Sequence, residues 1–296
     1  MPLILDGRKC RDDIACTLRR ELDALPSKPK LVIFQVGENK ESAAYIAQKK
    51  KFGERIGAHV VHLSVPAAVT EHELIFKIKE QNADPSVHGI IVQLPLPPSL
   101  ESKRVVDAVD PEKDIDGLTS ENEQLFRERK PRFIPATARG VIELLERYEI
   151  PYVGKKAAVL GRSALVGAPT ALLLEGKGAL VTVCHSGTEN TKEITRASDV
   201  VVVAIGRPKL IGADYFRSDR TQAVIDVGIN AVTDEGKLKL AEEIPRRSIV
   251  GDVDFDAVKD MVAAISPVPG GVGPMTVAAL FENLMGAFRE ACKITP

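Results

Sequence analysis

Lys156-Ala-Ala-Val-Leu-Gly-Arg-Ser-Ala-Leu-Val-Gly-Ala-Pro169 reads as a strand, a glycine-containing turn and the opening of a helix. The apolar run Ala157–Leu160 has the length of a buried strand, and Gly161 permits a tight turn after it. Gly167 permits close helix packing. Pro169 suits a helix's first turn, where a missing N–H costs nothing. The free N–H groups at such a helix start suit a phosphate. The spacing Gly161-x-Ser163-x-x-x-Gly167 is not GxGxxG, and glycine turns are common in α/β proteins. Alone, the stretch names a strand–turn–helix unit and no ligand.

The alternation continues on both sides. Ahead of it, strands are expected at Lys30–Val36, His59–Val65 and Gly89–Gln93, with helices at Ser42–Gly57, Glu71–Asn82 and Ser102–Val109. The polar stretch Lys113–Pro135 lacks periodicity and reads as loop-rich; Ala138–Arg147 reads as a helix. Beyond the opening stretch come helix Ala168–Leu174, strand Leu180–Cys184, helix Thr191–Ala197, and strands Val200–Ala204 and Ala223–Val227. Strands alternating with helices predict parallel sheets in an α/β fold. Two α/β domains are expected with a cleft between them, the second a Rossmann-type parallel sheet. They divide as residues 1–137, completed by a C-terminal helix over 274–296, and residues 138–273.

Ser266-Pro-Val-Pro-Gly-Gly-Val-Gly-Pro-Met-Thr276 is too rich in Pro and Gly for a regular helix or strand. It reads either as a rigid loop clamping a ligand or as a long structural turn. The apolar run Val277–Phe288 after it reads as a helix.

Composition narrows the function classes. The chain has 296 residues, 44% hydrophobic and 27% charged, ordinary for a globular protein. A net charge of −1 gives no basic stripe for nucleic acid. No apolar run reaches the roughly 18 residues that span a bilayer, so no membrane partner is expected. The N-terminus shows no secretory signal. Cys10, Cys16, Cys184 and Cys292 are scattered and read as free thiols, which suits a cytoplasmic location. The five histidines lack HxxxH or HxH spacing, so no metal site is expected.

Several side chains could carry chemistry. Tyr45 and Lys49 lie four apart on one helix and point the same way. A lysine facing a cleft can act as acid or base, although Lys49-Lys50-Lys51 equally reads as a solvated charge run. Gln93 ends a strand, where α/β ligands bind, yet it could simply satisfy backbone groups. Asp114-Ile-Asp116-Gly117 is an acidic turn, and a carboxylate there could accept two hydrogen bonds from an amino-pyrimidinone edge; an Asx-turn is the alternative. After the second strand of the later series comes His185-Ser186-Gly187-Thr188, without the acid that would bind a ribose 2′-hydroxyl. Arg162 could instead pair with a 2′-phosphate, which favours NADP over NAD.

These pieces occur in an order that resembles the bifunctional methylenetetrahydrofolate dehydrogenase/methenyltetrahydrofolate cyclohydrolase family, of the bacterial FolD type. The match spans nearly the whole chain. It includes Ser42-x-x-Tyr45-x-x-x-Lys49, Gly89-Ile-Ile-Val-Gln-Leu-Pro-Leu-Pro97 and Pro111-x-Lys-Asp-Ile-Asp-Gly117. Gly161-Arg-Ser-x-x-Val-Gly-x-Pro169, Val181-Thr-x-Cys-His-Ser186, Asp226-Val-Gly-Ile-Asn230, Gly251-Asp-Val253 and Pro267–Thr276 complete it.

The resemblance implies a folate-binding catalytic domain followed by an NADP domain. It implies oxidation of 5,10-methylenetetrahydrofolate with NADP, then hydrolysis of the methenyl product to 10-formyltetrahydrofolate, in the one-carbon metabolism that serves purine, histidine and methionine synthesis. Lys49 would carry the hydrolytic chemistry, Tyr45 position the folate, Gln93 orient Lys49 and Asp116 hold the pterin, with Pro269, Gly270 and Gly271 also against the substrate. Gly161, Arg162, Ser163, Ser186, Ile229 and Thr276 would line the NADP site, and the protein would be a homodimer.

Two places depart from the family pattern. Pro135-Ala-Thr-Ala-Arg-Gly140 stands where the family has Pro-Cys-Thr-Pro-x-Gly, so altered hinge geometry or cofactor affinity is expected rather than lost chemistry. Gly187 sits where some relatives carry a basic residue. The rival readings are a shikimate-type NADP dehydrogenase, which would not need the Tyr45, Lys49, Gln93 and Asp116 set, and a non-catalytic nucleotide-binding protein, which a turnover assay would expose.

Overall fold

The computed structural model describes residues 1–233 and 247–294. Residues 234–246 of the expected second domain and the last two residues of the expected C-terminal helix lie outside them. The chain divides into two compact units. Unit 1 is Met1–Cys10 with Thr137–Thr276; unit 2 is Arg11–Ala136 with the chain from Val277 onward.

The strands, in chain order, are β1 (Leu3–Ile4), β2 (Lys30–Val36), β3 (His59–Val65), β4 (Gly89–Val92), β5 (Lys156–Leu160) and β6 (Leu180–Cys184). They continue with β7 (Val200–Val203), β8 (Ala223–Asp226), β9 (Asn230–Thr233), β10 (Arg247–Val250) and β11 (Ala264–Ile265).

In unit 2 a parallel sheet runs in the order β3-β2-β4, with Leu31 opposite both Val60 and Gly89. β2 is buried from Leu31 to Val36. That is the expected state of a parallel strand covered on both faces, and it explains the apolar run Leu31–Phe34. Val32, Phe34, Leu74, Ile78, Ile90 and Val105 form one core. Helix Glu71–Ala83 starts at a capping box, with the Glu73 N–H donating to Thr70 Oγ1 and the Thr70 N–H donating to Glu73 Oε2. Helix Lys40–Ile56 packs closely on β3. A Cβ at Gly53 would lie 2.3 Å from Val60 Cγ2, so only glycine allows that approach.

Unit 1 holds a six-stranded sheet in the order β1-β11-β8-β7-β5-β6, with each neighbouring pair parallel. From β5 the chain goes outward to β6 and then returns to β7 on the other side. The carboxyl end of β5 is therefore a topological switch point, where open α/β sheets bind ligands. β9 and β10 form a separate antiparallel pair. Among the described residues, no helix is long and apolar enough to cross a membrane.

The structure departs from the sequence reading in three places. Within the stretch expected to be loop-rich, Ser120–Arg127 is a helix; Thr119 caps it by accepting from the Asn122 N–H, and Asn122 and Phe126 are buried. The final helix starts at Val272, inside the Pro-Gly stretch, and runs to Cys292. Pro274 is third in that helix and has no intrahelical N–H bond to lose. The N-terminus, which offers little pattern, contributes β1 and helix Gly7–Asp23.

Candidate functional site

Unit 2 brings Lys49, Gln93 and Asp116 into one electrostatic group. On helix Lys40–Ile56, Lys50 and Lys51 are exposed while Lys49 is turned inward, so the lysine run is not a uniformly solvated face. Lys49 Nζ donates to Gln93 Oε1 at 3.0 Å, and Gln93 Nε2 donates to the Leu94 carbonyl at 2.9 Å. The Gln93 backbone N–H extends the ladder to Phe34 O. Gln93 is thus held from both ends, with its amide oxygen aimed at the lysine. Burial pushes the Lys49 ammonium below the usual lysine range, and the Asp116 carboxylate opposes that shift. Burial pushes Asp116 upward, opposed by the positive charge of Lys49. Tyr45 is half-buried one turn ahead of Lys49 on the same helix.

The acidic turn divides its work between its two aspartates. Asp114 is buried and accepts from the backbone N–H groups of Gly117 (3.1 Å) and Thr119 (2.8 Å) and from Asn122 Nδ2 (2.9 Å). Ile115 anchors the turn in the core, and Gly117 takes a φ of 73°. Asp116 accepts no hydrogen bond among the described residues. Asp114 makes the Asx-turn, leaving the Asp116 carboxyl for the neighbourhood of Lys49.

Unit 1 places the strand–turn–helix of residues 156–169 at the switch point. Gly161 has φ 115°, and a Cβ there would lie 2.1 Å from the Ala204 carbonyl oxygen. A Cβ at Gly167 would lie 2.2 Å from the Gly161 carbonyl oxygen. Ser163 Oγ accepts from the N–H groups of Val166 (3.3 Å) and Gly167 (3.4 Å) at the start of helix Gly167–Gly176. Arg162 is exposed and pairs with no acid among the described residues.

Leu160 pairs with Cys184, so Arg162 and the turn after β6 leave adjacent strands. That turn is closed by the His185 N–H donating to Thr188 Oγ1 and the Gly187 N–H to His185 Nδ1, with Ser186 exposed. A glycine cradle, an unpaired guanidinium and a turn without an acid fit a dinucleotide carrying a 2′-phosphate. Ile229 is exposed, and Thr276 Oγ1 donates to the Val272 carbonyl.

The Pro-Gly loop also belongs to unit 1, whereas Lys49, Tyr45, Gln93 and Asp116 belong to unit 2. The loop is stapled by the N-terminal segment. The Gly7 N–H donates to Gly270 O at 2.9 Å, Arg8 Nη2 to Pro269 O at 3.4 Å, and the Gly271 N–H to Pro267 O at 2.7 Å. A Cβ at Gly7 would lie 1.9 Å from Gly271 O. The Leu94–Pro95 and Val268–Pro269 peptides are cis. At the departure from the family pattern, Ala136 and Ala138 lie buried in the first turn of helix Ala136–Arg147. Gly140 lies against the start of the final helix, where a Cβ would be 3.1 Å from the Thr276 backbone N.

The sequence reading assigned no role to Asp226, Asp252 and Ser266, which form a buried network at the carboxyl edge of this sheet. Asp252 accepts from the N–H groups of Ile205 (2.6 Å), Gly206 (2.8 Å) and Arg207 (2.9 Å) and from Asn230 Nδ2 (2.8 Å). Asp226 accepts from the N–H groups of Gly228, Asp252 and Val253. Burial raises the Asp226 carboxyl to about 7, and the negative charge of Asp252 adds to the rise. The available signal was a glycine near each aspartate, in Asp226-Val-Gly228 and Gly251-Asp252. Each glycine leaves room for the other aspartate: a Cβ at Gly228 would lie 2.1 Å from Asp252 Cγ, and one at Gly251 would lie 1.8 Å from Asp226 Oδ2.

Comparison with known proteins bears on both units. Residues 5–116 match the catalytic domain, and residues 135–292 the NAD(P)-binding domain, of tetrahydrofolate dehydrogenase/cyclohydrolase. The chain is 41% identical over 285 residues to the bifunctional protein FolD of Methanoculleus marisnigri, covering 96% of each. It is 42% identical over 294 residues to the bifunctional protein FolD of Polynucleobacter asymbioticus, covering 98% of each. The solved structure of the Trypanosoma brucei N5,N10-methylenetetrahydrofolate dehydrogenase-cyclohydrolase, in complex with NADP and an inhibitor, superposes with a TM-score of 0.91 at 36% identity, covering 99% of each chain.

Proposed function

The chain belongs to the tetrahydrofolate dehydrogenase/cyclohydrolase family, and from that membership and the site geometry we propose a two-step enzyme of one-carbon metabolism. It oxidises 5,10-methylenetetrahydrofolate to the 5,10-methenyl form with NADP and hydrolyses the product to 10-formyltetrahydrofolate. The observation that carries the reading is the Lys49–Gln93 hydrogen bond beside Asp116.

NADP, when bound, supplies the acceptor for the hydride removed from the carbon bridging the two folate nitrogens. The organic product is a resonance-stabilised cation, so this step needs no protein base; orientation supplies much of the rate. The glycine cradle at Gly161 and Gly167, Ser163, Arg162 and Ser186 are the residues proposed to hold the dinucleotide, with Ile229 and Thr276 beside it.

The hydrolysis needs proton traffic. Water adds to the cationic carbon, one proton leaves as the C–O bond forms, and the bond to one ring nitrogen then breaks as that nitrogen takes a proton. One of the water's protons ends on the nitrogen and the other passes to solvent. A neutral amine suits both transfers, and burial favours the neutral form of Lys49. One N–H given to Gln93 Oε1 leaves the amine lone pair free to accept from water. Tyr45 is assigned to positioning the folate, Asp116 to the amino-pyrimidinone edge of the pterin, and Pro269, Gly270 and Gly271 to further contact with the substrate. The family resemblance also supports a homodimer and a cytoplasmic location.

The test is to mix the protein with 5,10-methylenetetrahydrofolate and NADP⁺ or NAD⁺, following the reduced nucleotide and the methenyl absorbance separately. Reduced nucleotide with little methenyl accumulation is expected. Accumulating methenyl product would remove the second activity, and no turnover with either nucleotide would overturn the reading.

A further inference from the structure

A single buried carboxylate links several parts of the carboxyl edge of the unit 1 sheet. Asp252 has no exposed surface. Its Oδ2 takes the N–H groups of Ile205 and Gly206; its Oδ1 takes that of Arg207 and the side-chain amide of Asn230. Three consecutive backbone donors converging on one carboxylate fix the path of the chain that leaves β7. That same chain supplies the Ala204 carbonyl oxygen, which occupies the space where a Cβ of Gly161 would go. The loop gripped by Asp252 is therefore the wall against which the Gly161 turn is set. Below it, Asp226 accepts the Asp252 and Val253 N–H groups, and its own N–H donates to Ser266 Oγ at 2.8 Å, at the entry to the Pro-Gly loop.

We propose that Asp252 is a positioning residue of the dinucleotide site, holding the Ile205–Arg207 loop and Asn230 so that the Gly161 turn and Ile229 take their places. The proposal rests on the reading of unit 1 as the NADP-binding unit. Asp252 acts through the backbone and touches no reacting atom. Its substitution should therefore separate cofactor affinity from the hydrolytic chemistry of Lys49.

The experiment is a fluorescence titration of the protein with NADPH, without folate, for the parent and for Asp252→Asn and Asn230→Leu. An asparagine at 252 keeps the shape but turns an NH₂ group toward donors in place of an accepting oxygen. Hydrogen bonds to a charged group are each worth about 1.5–3 kcal/mol, so a roughly 10- to 100-fold rise in the NADPH Kd is expected. Asn230→Leu removes the side-chain amide that donates to Asp252 and Val250 and leaves both buried carboxylates, and should weaken NADPH by roughly 3- to 10-fold with Tm lowered by several degrees. Hydrolysis of added 5,10-methenyltetrahydrofolate should persist in both variants. A lowered Tm with an unchanged NADPH Kd would assign Asp252 to folding alone and overturn the proposal. If Asp252→Asn does not fold, an unchanged Kd in Asn230→Leu overturns it. Failure of the parent to bind NADPH would instead overturn the assignment of unit 1.

Discussion

Replacing Lys49 by methionine separates the two proposed reactions within one molecule. The stem keeps nearly its length and volume, and only the amine is lost. Gln93 Oε1 loses the donor it now receives at 3.0 Å but keeps its Nε2 bond to Leu94 O, a change worth about 1 kcal/mol. Removing the ammonium also strips Asp116 of the charge that opposes its upward shift, so burial carries its carboxyl further toward the protonated form. Neutralisation by a proton spares the fold an unpaired buried charge. Folding should survive, with Tm lowered by a few degrees at most.

The catalytic effect should be much larger. General acid–base catalysis contributes about 10²- to 10⁴-fold, a barrier change of roughly 3–5 kcal/mol. Hydrolysis of added 5,10-methenyltetrahydrofolate, followed by loss of its absorbance, should fall by that factor. The dehydrogenase rate at saturating folate and NADP⁺ should fall far less, because that step needs no protein base. Methenyl product should therefore accumulate during the coupled reaction. Equal loss of both rates, with folate binding intact by titration, would refute the assignment of Lys49.

Asp116→Ala should raise the folate KM in both assays, and unchanged folate kinetics would remove Asp116 from the pterin site. Arg162→Ala should raise the KM for NADP⁺ by about tenfold and leave that for NAD⁺ nearly unchanged, measured side by side; equal effects would argue against a 2′-phosphate contact. Gly161→Ala must accommodate a Cβ that would lie 2.1 Å from Ala204 O at φ 115°, so urea unfolding should reveal a loss of about 2–5 kcal/mol. Asp226 titrates near 7 in the fold and near 3.8 when unfolded, so its protonated form favours folding. That contribution is fully present below 3.8 and lost as pH rises through about 7, roughly 4 kcal/mol in all at about 1.4 kcal/mol per pH unit. Asp226→Asn should flatten the stability–pH curve between pH 4 and 8 by about that amount, and parallel curves would refute it.

What was legible in the sequence was whatever local pattern encodes. β2, β3 and β6 occupy the residues their apolar runs mark, because side-chain period and strand length are properties of neighbours in sequence. Gly161 announced a tight turn, and Gly167 close helix packing, for the same reason. The orders of the short motifs sufficed to name the family. Helix Ser120–Arg127 was missed because its cap, Thr119, and its buried Asn122 sit in a polar stretch without apolar periodicity. β1 has two residues, and only its parallel neighbour β11, far along the chain, makes it a strand.

The chemistry of individual side chains waited for the fold. The spacing to Tyr45 and the family resemblance singled out Lys49, and the resemblance chose Asp116, but residue pattern alone left Lys49 inside a charge run and did not decide which aspartate of the acidic turn was free. Burial turned Lys49 toward Gln93, and backbone donors claimed Asp114 and left Asp116. Asp226 and Asp252 are joined because parallel strands bring their loops to one edge, and two glycines vacate the space each carboxylate fills. Desolvation and hydrogen bonding depend on what surrounds an atom in space, and most of what surrounds these atoms is distant in sequence.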